Sequence, residues 1–240
     1  ISGEEIDLLT DEEFAKIVES KNVFARVNPT HKARIVEALK QNGHIVAMTG
    51  DGVNDAPSLK KADIGIGMGK TGTDVTKDVS DIIITDDNFA TIIVAVEEGR
   101  KIYTNIQKTI KYLFSANMAE ILALFFITIL FPGITFLLPV QILFVNLITD
   151  SLPAIALGVE PAEKEVMLEK PRKKKDGLFS NGFGVSILIL GAFQTALTMG
   201  AYFFGLFLYG EPIAITMAFY TLNLIQLFYM FTARTKECCF

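Results

Sequence analysis

The chain has 240 residues, half of them hydrophobic, and a formal net charge of -5, which argues against a nucleic-acid partner because such proteins carry a basic footprint. Its composition is split: residues 1–108 are mixed and charged, whereas the rest is dominated by apolar runs long enough to cross a bilayer, so a purely soluble protein is excluded. The only two cysteines, Cys238 and Cys239, are adjacent at the end, which excludes a disulfide framework and a cysteine metal cage.

In the charged part, Thr10 followed by Glu12 to Ser20 predicts a capped helix, and Asn22 to Val27 predicts a strand. Pro29 starts a helix reaching about Asn42, with Gly43 as its stop. Strands are expected at His44 to Met48, Asp63 to Gly67 and Asp81 to Thr85, with a helix at Asp55 to Ala62. Strands alternating with helices imply an open parallel sheet, whose ligands sit at the carboxyl ends of the strands. The block Thr49-Gly50-Asp51-Gly52-Val53-Asn54-Asp55-Ala56-Pro57 falls at such an end. Its glycines permit tight turns and close backbone approach, and its acids and amide lie beside a helix N-terminus. Magnesium suits this chemistry, because it takes one or two carboxylates and completes its shell with phosphate and water. Lys32, in the first turn of the preceding helix, is placed to offset phosphate charge at the same edge. His31 and His44 read as structural, since neither is paired with a nucleophile.

From Asn88 to Leu130 there is no proline, and one helix over that stretch would extend about 65 Å. It would link the phosphate end to Glu120 mechanically, with Gly99 as its weak point. Four membrane helices are predicted, at about 112–131, 134–157, 183–209 and 213–231. Basic residues cluster before the first (Arg100, Lys101, Lys108, Lys111), between the second and third (Lys164, Lys170, Arg172 to Lys175) and after the fourth (Arg234, Lys236). The turns at Pro132-Gly133 and Gly210-Glu211-Pro212 have none, so by the positive-inside bias both termini are expected in the cytosol, in a plasma or an internal membrane.

Two carboxylates, Glu120 and Asp150, interrupt the first two spans. Each costs about 2.5–3.5 kcal/mol near the centre of a membrane helix, so such residues usually face an interior and have a role. Asn117 stands three residues before Glu120; Asn146 stands three before Thr149 and four before Asp150, spacings that share a helical face. Pro153 and Gly158 suggest local unwinding after Asp150, which would free backbone carbonyls. An all-oxygen set suits a hard cation such as calcium, sodium or magnesium.

Taken together, the Phe24–Val27, Pro29–Lys32, Met48–Pro57, Asp63–Gly69, Ser115–Glu120 and Asn146–Pro153 segments resemble the C-terminal part of P-type cation-transporting ATPases. The likeness is greatest to calcium pumps of the sarco/endoplasmic reticulum kind and their bacterial relatives, and runs through nearly the whole chain. It implies a partial α/β haloacid-dehalogenase-like (Rossmannoid) domain with its stalk over residues 1–108. An α-helical membrane domain with four transmembrane helices follows over 109–240. By this resemblance Asp51 binds magnesium, Asn54 and Asp55 order the phosphorylation site, Lys32 contacts the phosphoryl group, and Thr49 and Gly50 lie in the cofactor-binding segment. Asn117, Glu120, Asn146, Thr149 and Asp150 match ligands of transported calcium. Gln226 stands where the reticulum pumps have a glutamate ligand, which bears on affinity or ion number. Sodium/potassium pumps carry an acid where Asn146 stands, which favours calcium.

The 240 residues hold no Asp-Lys-Thr-Gly-Thr segment for the phosphorylated aspartate, no Thr-Gly-Glu actuator loop, no nucleotide-binding domain for most of the ATP contacts, and only the counterparts of the family's fifth to eighth membrane helices. The expectation is a fragment of an ATP-driven calcium pump, inactive by itself, whose partners are the bilayer, the transported cation and the missing remainder of the pump. Alternatives are a pump for sodium, potassium or manganese, or a truncated remnant acting as a membrane-associated partner. A membrane-anchored phosphatase is disfavoured, because no nucleophilic aspartate follows a first strand.

Overall fold

The computed structural model describes residues 1–161, 163, 166–171, 177 and 182–234. Lys164, Arg172 to Lys175, Lys236, Cys238 and Cys239 lie outside the described residues. The chain divides into two compact units, Ile1–Val96 and a second that begins at Glu97.

The first unit opens with short helices α1 (Gly3–Asp7) and α2 (Asp11–Val18), then α3 (Pro29–Gln41). Ser2 and Thr10 cap the first two through capping boxes with Glu5 and Glu13, and Asn28 caps the third, with Pro29 at its first position. The sequence signal for α1, Ser-x-x-Glu, is as plain as that for α2. Ile6, Phe14, Val18 and Ala38 form the core of these helices. Asn22 to Val27 is not a strand: it makes one isolated parallel bridge, Ser2 to Ala25, and Arg26 at φ 52 leaves extended geometry.

Three parallel strands follow in the order β1 (Ala47–Gly50), β2 (Ile64–Met68) and β3 (Ile82–Ile84). Ala47 pairs with Ile64 and Gly50 with Gly67, so β1 begins three residues later than the sequence predicts and ends at the Gly-Asp-Gly turn. Ile66 pairs with Ile82 and Met68 with Ile84. A 3-10 turn (Val53–Asp55) leads into α4 (Ala56–Lys61), and α5 (Asp74–Val79), absent from the sequence reading, connects β2 to β3. Thr73 starts α5 by accepting a hydrogen bond from the Thr76 amide.

After β3, Asp87 adopts φ 56, and its carboxylate accepts from the amides of Lys70 (2.9 Å) and Thr71 (2.7 Å) and from the Thr71 hydroxyl (2.9 Å). The Lys70 amide, with the Thr71 donors, lowers the Asp87 pKa to about 2. The loop so held continues to Thr73, whose amide donates to the Asp51 carbonyl at 3.0 Å. Asp87 thereby steadies the backbone of the Gly-Asp-Gly turn from across the sheet.

Helix α6 (Phe89–Leu130) runs for 42 residues, without a break at Gly99. Next come α7 (Pro139–Phe144), a π-helical segment (Val145–Asp150) and α8 (Ser151–Gly158), which together form one stretch of 20 residues. This span starts at Pro139 rather than Ile134, because Pro132 and Gly133 (φ 97) end the preceding helix and Pro139 occupies a first-turn position where its missing N–H costs nothing. Helices α9 (Phe183–Tyr209) and α10 (Glu211–Ala233) complete the four that are long and apolar enough to cross a membrane. The second unit is thus an integral membrane region. Its core joins Ala123 and Ile127 of α6 to Tyr202 of α9 and Ala214, Ala218 and Leu222 of α10. Gly205 lets α9 and α10 approach closely: a Cβ there would lie 2.9 Å from Ala214 Cα.

Candidate functional site

Each unit carries a group of the residues singled out above. In the first, the turn after β1 brings Gly50, Asp51, Gly52, Asn54 and Asp55 to the carboxyl edge of the sheet. Asp55 is 6% exposed, and its Oδ1 receives the Lys32 ammonium at 2.6 Å. Gly50 is required by this arrangement, since a Cβ there would sit 2.5 Å from Asp55 Cβ, far inside contact distance. Asp51 and Asn54 are exposed, and among the described residues the Asp51 carboxylate has no hydrogen-bond partner. One acid is therefore neutralised and buried, while its neighbour four residues earlier is open. Thr49 pairs with Ile66 in the sheet and leads through Gly50 into the turn. His31 is structural, as expected: its Nε2 lies 2.8 Å from Asp7 and its Nδ1 accepts from the Asn28 amide.

In the second unit, Glu120 is 5% exposed and Asp150 2%. Asn146 Nδ2 donates to Glu120 Oε2 at 3.1 Å, and Gln226 Nε2 approaches Glu120 Oε1 at 3.5 Å. Three helical stretches thus meet at one carboxylate. Among the described residues both oxygens of Asp150 lack a hydrogen-bond partner, as does Gln226 Oε1. Uncompensated buried acceptors in an apolar setting cost about 1–3 kcal/mol each, and more when charged. Asn117 stands apart from the cluster's hydrogen bonds, donating to the Leu113 carbonyl of its own helix at 2.8 Å.

The backbone near Asp150 is π-wound before the acid rather than unwound after it. Pro153 has no N–H for the carbonyl of Thr149, four residues earlier, and the Tyr112 hydroxyl donates to that carbonyl instead, at 3.2 Å. The carbonyl expected to be freed is therefore taken. Thr149 Oγ1 donates to Asn223 Oδ1 of α10 at 2.6 Å.

Tyr112 and Asn223 escaped the sequence reading. Asn223 had a signal: Asn-x-x-polar occurs at Asn117/Glu120, Asn146/Thr149 and Asn223/Gln226, so each helical stretch of the cluster carries it, with a further instance at Asn105/Lys108 in α6. Tyr112 had none, because its role depends on a carbonyl that a distant proline leaves unpaired.

This pairing of a phosphate-type turn with buried membrane carboxylates agrees with family matches. The family described as haloacid dehalogenase-like hydrolase matches residues 4–63, and the family described as cation transporting ATPase, C-terminus, matches residues 134–238. The chain is related to the P-type cation-transporting ATPases. Three similar proteins are calcium ATPases by name. The chain is 49% identical to calcium-transporting ATPase 1 of Bacillus cereus over 98% of this chain and 28% of the relative. To the calcium-transporting ATPase of Bacillus subtilis it is 47% identical over all of this chain and 27% of the relative. To the endoplasmic reticulum calcium ATPase srcA of Aspergillus fumigatus it is 48% identical over 84% of this chain and 20% of the relative. The chain thus spans between 20% and 28% of the length of these curated relatives.

Proposed function

We propose that the chain is the C-terminal part of an ATP-driven calcium pump working through an aspartyl-phosphate intermediate, with the phosphorylated aspartate, nucleotide site and actuator loop supplied by sequence outside these 240 residues. The observation that carries the reading is the buried carboxylate of Asp150, unpartnered among the described residues, beside a second buried acid that has only amide partners among them. A divalent cation would supply the missing charge, and its oxygen shell would come from Glu120, Asp150, Asn146, Thr149 and Gln226, with Asn117 turning in from its helix. Calcium is favoured among hard cations by the names of the relatives. With Gln226 neutral where an acid is expected, the cluster carries two formal charges, which matches one divalent ion.

Magnesium fits the first unit. Asp51 is exposed at the sheet's carboxyl edge and without a competing partner among the described residues, as a ligand shared with water and phosphate must be. Bound there, the metal supplies charge neutralisation for a phosphoryl group. Lys32 is placed to reach the same phosphoryl group, and its ion pair with Asp55 holds the turn in shape. Both termini lie on the cytosolic side in this reading.

The test is ATP-dependent uptake of radioactive calcium into sealed vesicles containing the product of the complete open reading frame. Uptake lost on Asp150→Asn is the expected result. Asp51→Ala should abolish phosphoenzyme formation and leave equilibrium calcium binding intact. ATPase activity stimulated by another cation, without calcium uptake, would overturn the ion assignment.

A further inference from the structure

Asn223 is assigned no part by the resemblance, yet it controls a proton in the cation cluster. Hydroxyls of threonines in membrane helices usually turn back to their own backbone. Thr104, Thr128, Thr195, Thr198 and Thr216 all do so here, each donating to the carbonyl four residues earlier. Thr109 and Thr195 also reach backbone carbonyls of another helix, but Thr149 gives its proton to a side chain, Asn223 Oδ1, across to α10. The Asn223 amide is itself fixed, because Nδ2 donates to the Phe219 carbonyl at 2.7 Å and leaves Oδ1 for Thr149. A hydroxyl has one proton and two lone pairs. With the proton committed, Thr149 Oγ1 has only lone pairs for any other neighbour, the state a cation ligand needs. Thr149 is 6% exposed and Asn223 half-buried, so the bond is largely sheltered from solvent.

We infer that Asn223 is a positioning residue for the transported cation, acting by holding the Thr149 hydroxyl proton away from the ion. The inference rests on the calcium reading above. One turn further along α10, Gln226 orients Glu120 in a comparable way through its own amide. The helix thus sets the donors of two neighbouring stretches, with Asn223 working through Thr149 rather than touching the ion.

The experiment is equilibrium binding of radioactive calcium to the complete open-reading-frame product in lipid nanodiscs, for the wild type, Asn223→Leu, Asn223→Gln, Thr149→Val and the Thr149→Val/Asn223→Leu double variant. Loss of one hydrogen bond at the ligand predicts about a fivefold rise in half-saturating calcium for Asn223→Leu. Asn223→Gln, which keeps a neutral amide with both donor and acceptor, should bind more nearly as the wild type than Asn223→Leu does, a rescue that a purely apolar packing role would not give. The double variant should bind as Thr149→Val does. Wild-type affinity in Asn223→Leu, or a double variant that loses the full product of both single effects, overturns the inference and leaves the calcium site standing. A wild type that binds no calcium removes the site and the inference together. If leucine prevents folding, Asn223→Ala replaces it in the same cycle.

Discussion

The two units treat acidic residues in opposite ways. In the first, Asp55 is buried but neutralised by Lys32, and Asp51 is left in water where its charge costs little. In the second, Glu120 and Asp150 are buried among apolar helices with amides or nothing for partners. The first arrangement is complete without any ion, and a metal adds to it. The second is incomplete in electrostatic terms, so on the proposed reading a bound cation would add to its stability. Calcium should therefore shift the thermal midpoint of the membrane region, whereas magnesium should leave the sheet nearly unchanged.

Removing the demand for charge is the sharpest way to break the contrast. Asp150→Asn should weaken calcium binding by about 100-fold or more, in line with a directly ligating carboxylate, while raising the calcium-free thermal midpoint because an uncompensated buried charge is gone. A calcium-free midpoint that falls would show that Asp150 is compensated by something else. In the first unit, Gly50→Ala should destabilise the turn by about 2–3 kcal/mol, since the added carbon meets Asp55 Cβ at 2.5 Å and neither backbone nor buried acid has room to yield. Faster hydrogen exchange in residues 49–62, with β3 unaffected, is the signature to look for.

Lys32→Met strips the neutralising partner while keeping the aliphatic stem. The cost should be about 1–3 kcal/mol, reduced by the partial exposure of Lys32, and exchange in α4 reports it. The smallest effect concerns Asp87. Its pKa is lowered when folded, so its contribution is complete above the ordinary carboxylate range, begins to fade as pH drops below about 4, and is lost as pH passes about 2. Asp87→Asn should remove that acid sensitivity from the amides of Lys70 and Thr71, read by their exchange rates between pH 5 and 2.5. Unchanged sensitivity in the variant would assign it to another carboxylate.

The units also differ in how much of them the sequence displays. The Gly-Asp-Gly turn is contiguous, so its acids, glycines and following helix are read together from one block, and only Lys32 has to be brought in from elsewhere. The strand edges were less visible: β1 is set by its pairing with β2, which moved it three residues toward the turn. Asn22 to Val27 has strand-like residues but Arg26 in left-handed geometry, a constraint imposed by the contacts of Ser2 and Gly3 with that segment. In the membrane region the carboxylates stand out because their burial is costly, and that alone located the cluster. What hydrogen bonds inside it was hidden, since Asn223 lies 74 residues from Thr149 and Tyr112 lies 37 away. Contacts at such separations follow from packing, and no local pattern encodes them fully.

The π-helical segment has a consequence for how this span tolerates change in length. A π-turn holds one residue more than an α-turn, so the helix before Val145 and the helix after Asp150 are about 100° out of phase with an uninterrupted α-helix. Deleting a single residue between them would let the segment relax to ordinary α-helix without breaking the chain's path across the bilayer. The deletion would leave the Pro139–Phe144 face in nearly the same register with Ser151–Gly158, because the residue lost is the one the wide turn takes up. An apolar span that is uniform by hydropathy thus has one spare residue at this place, whereas the same deletion inside Pro139–Phe144 or Ser151–Gly158 would turn the two faces about 100° apart.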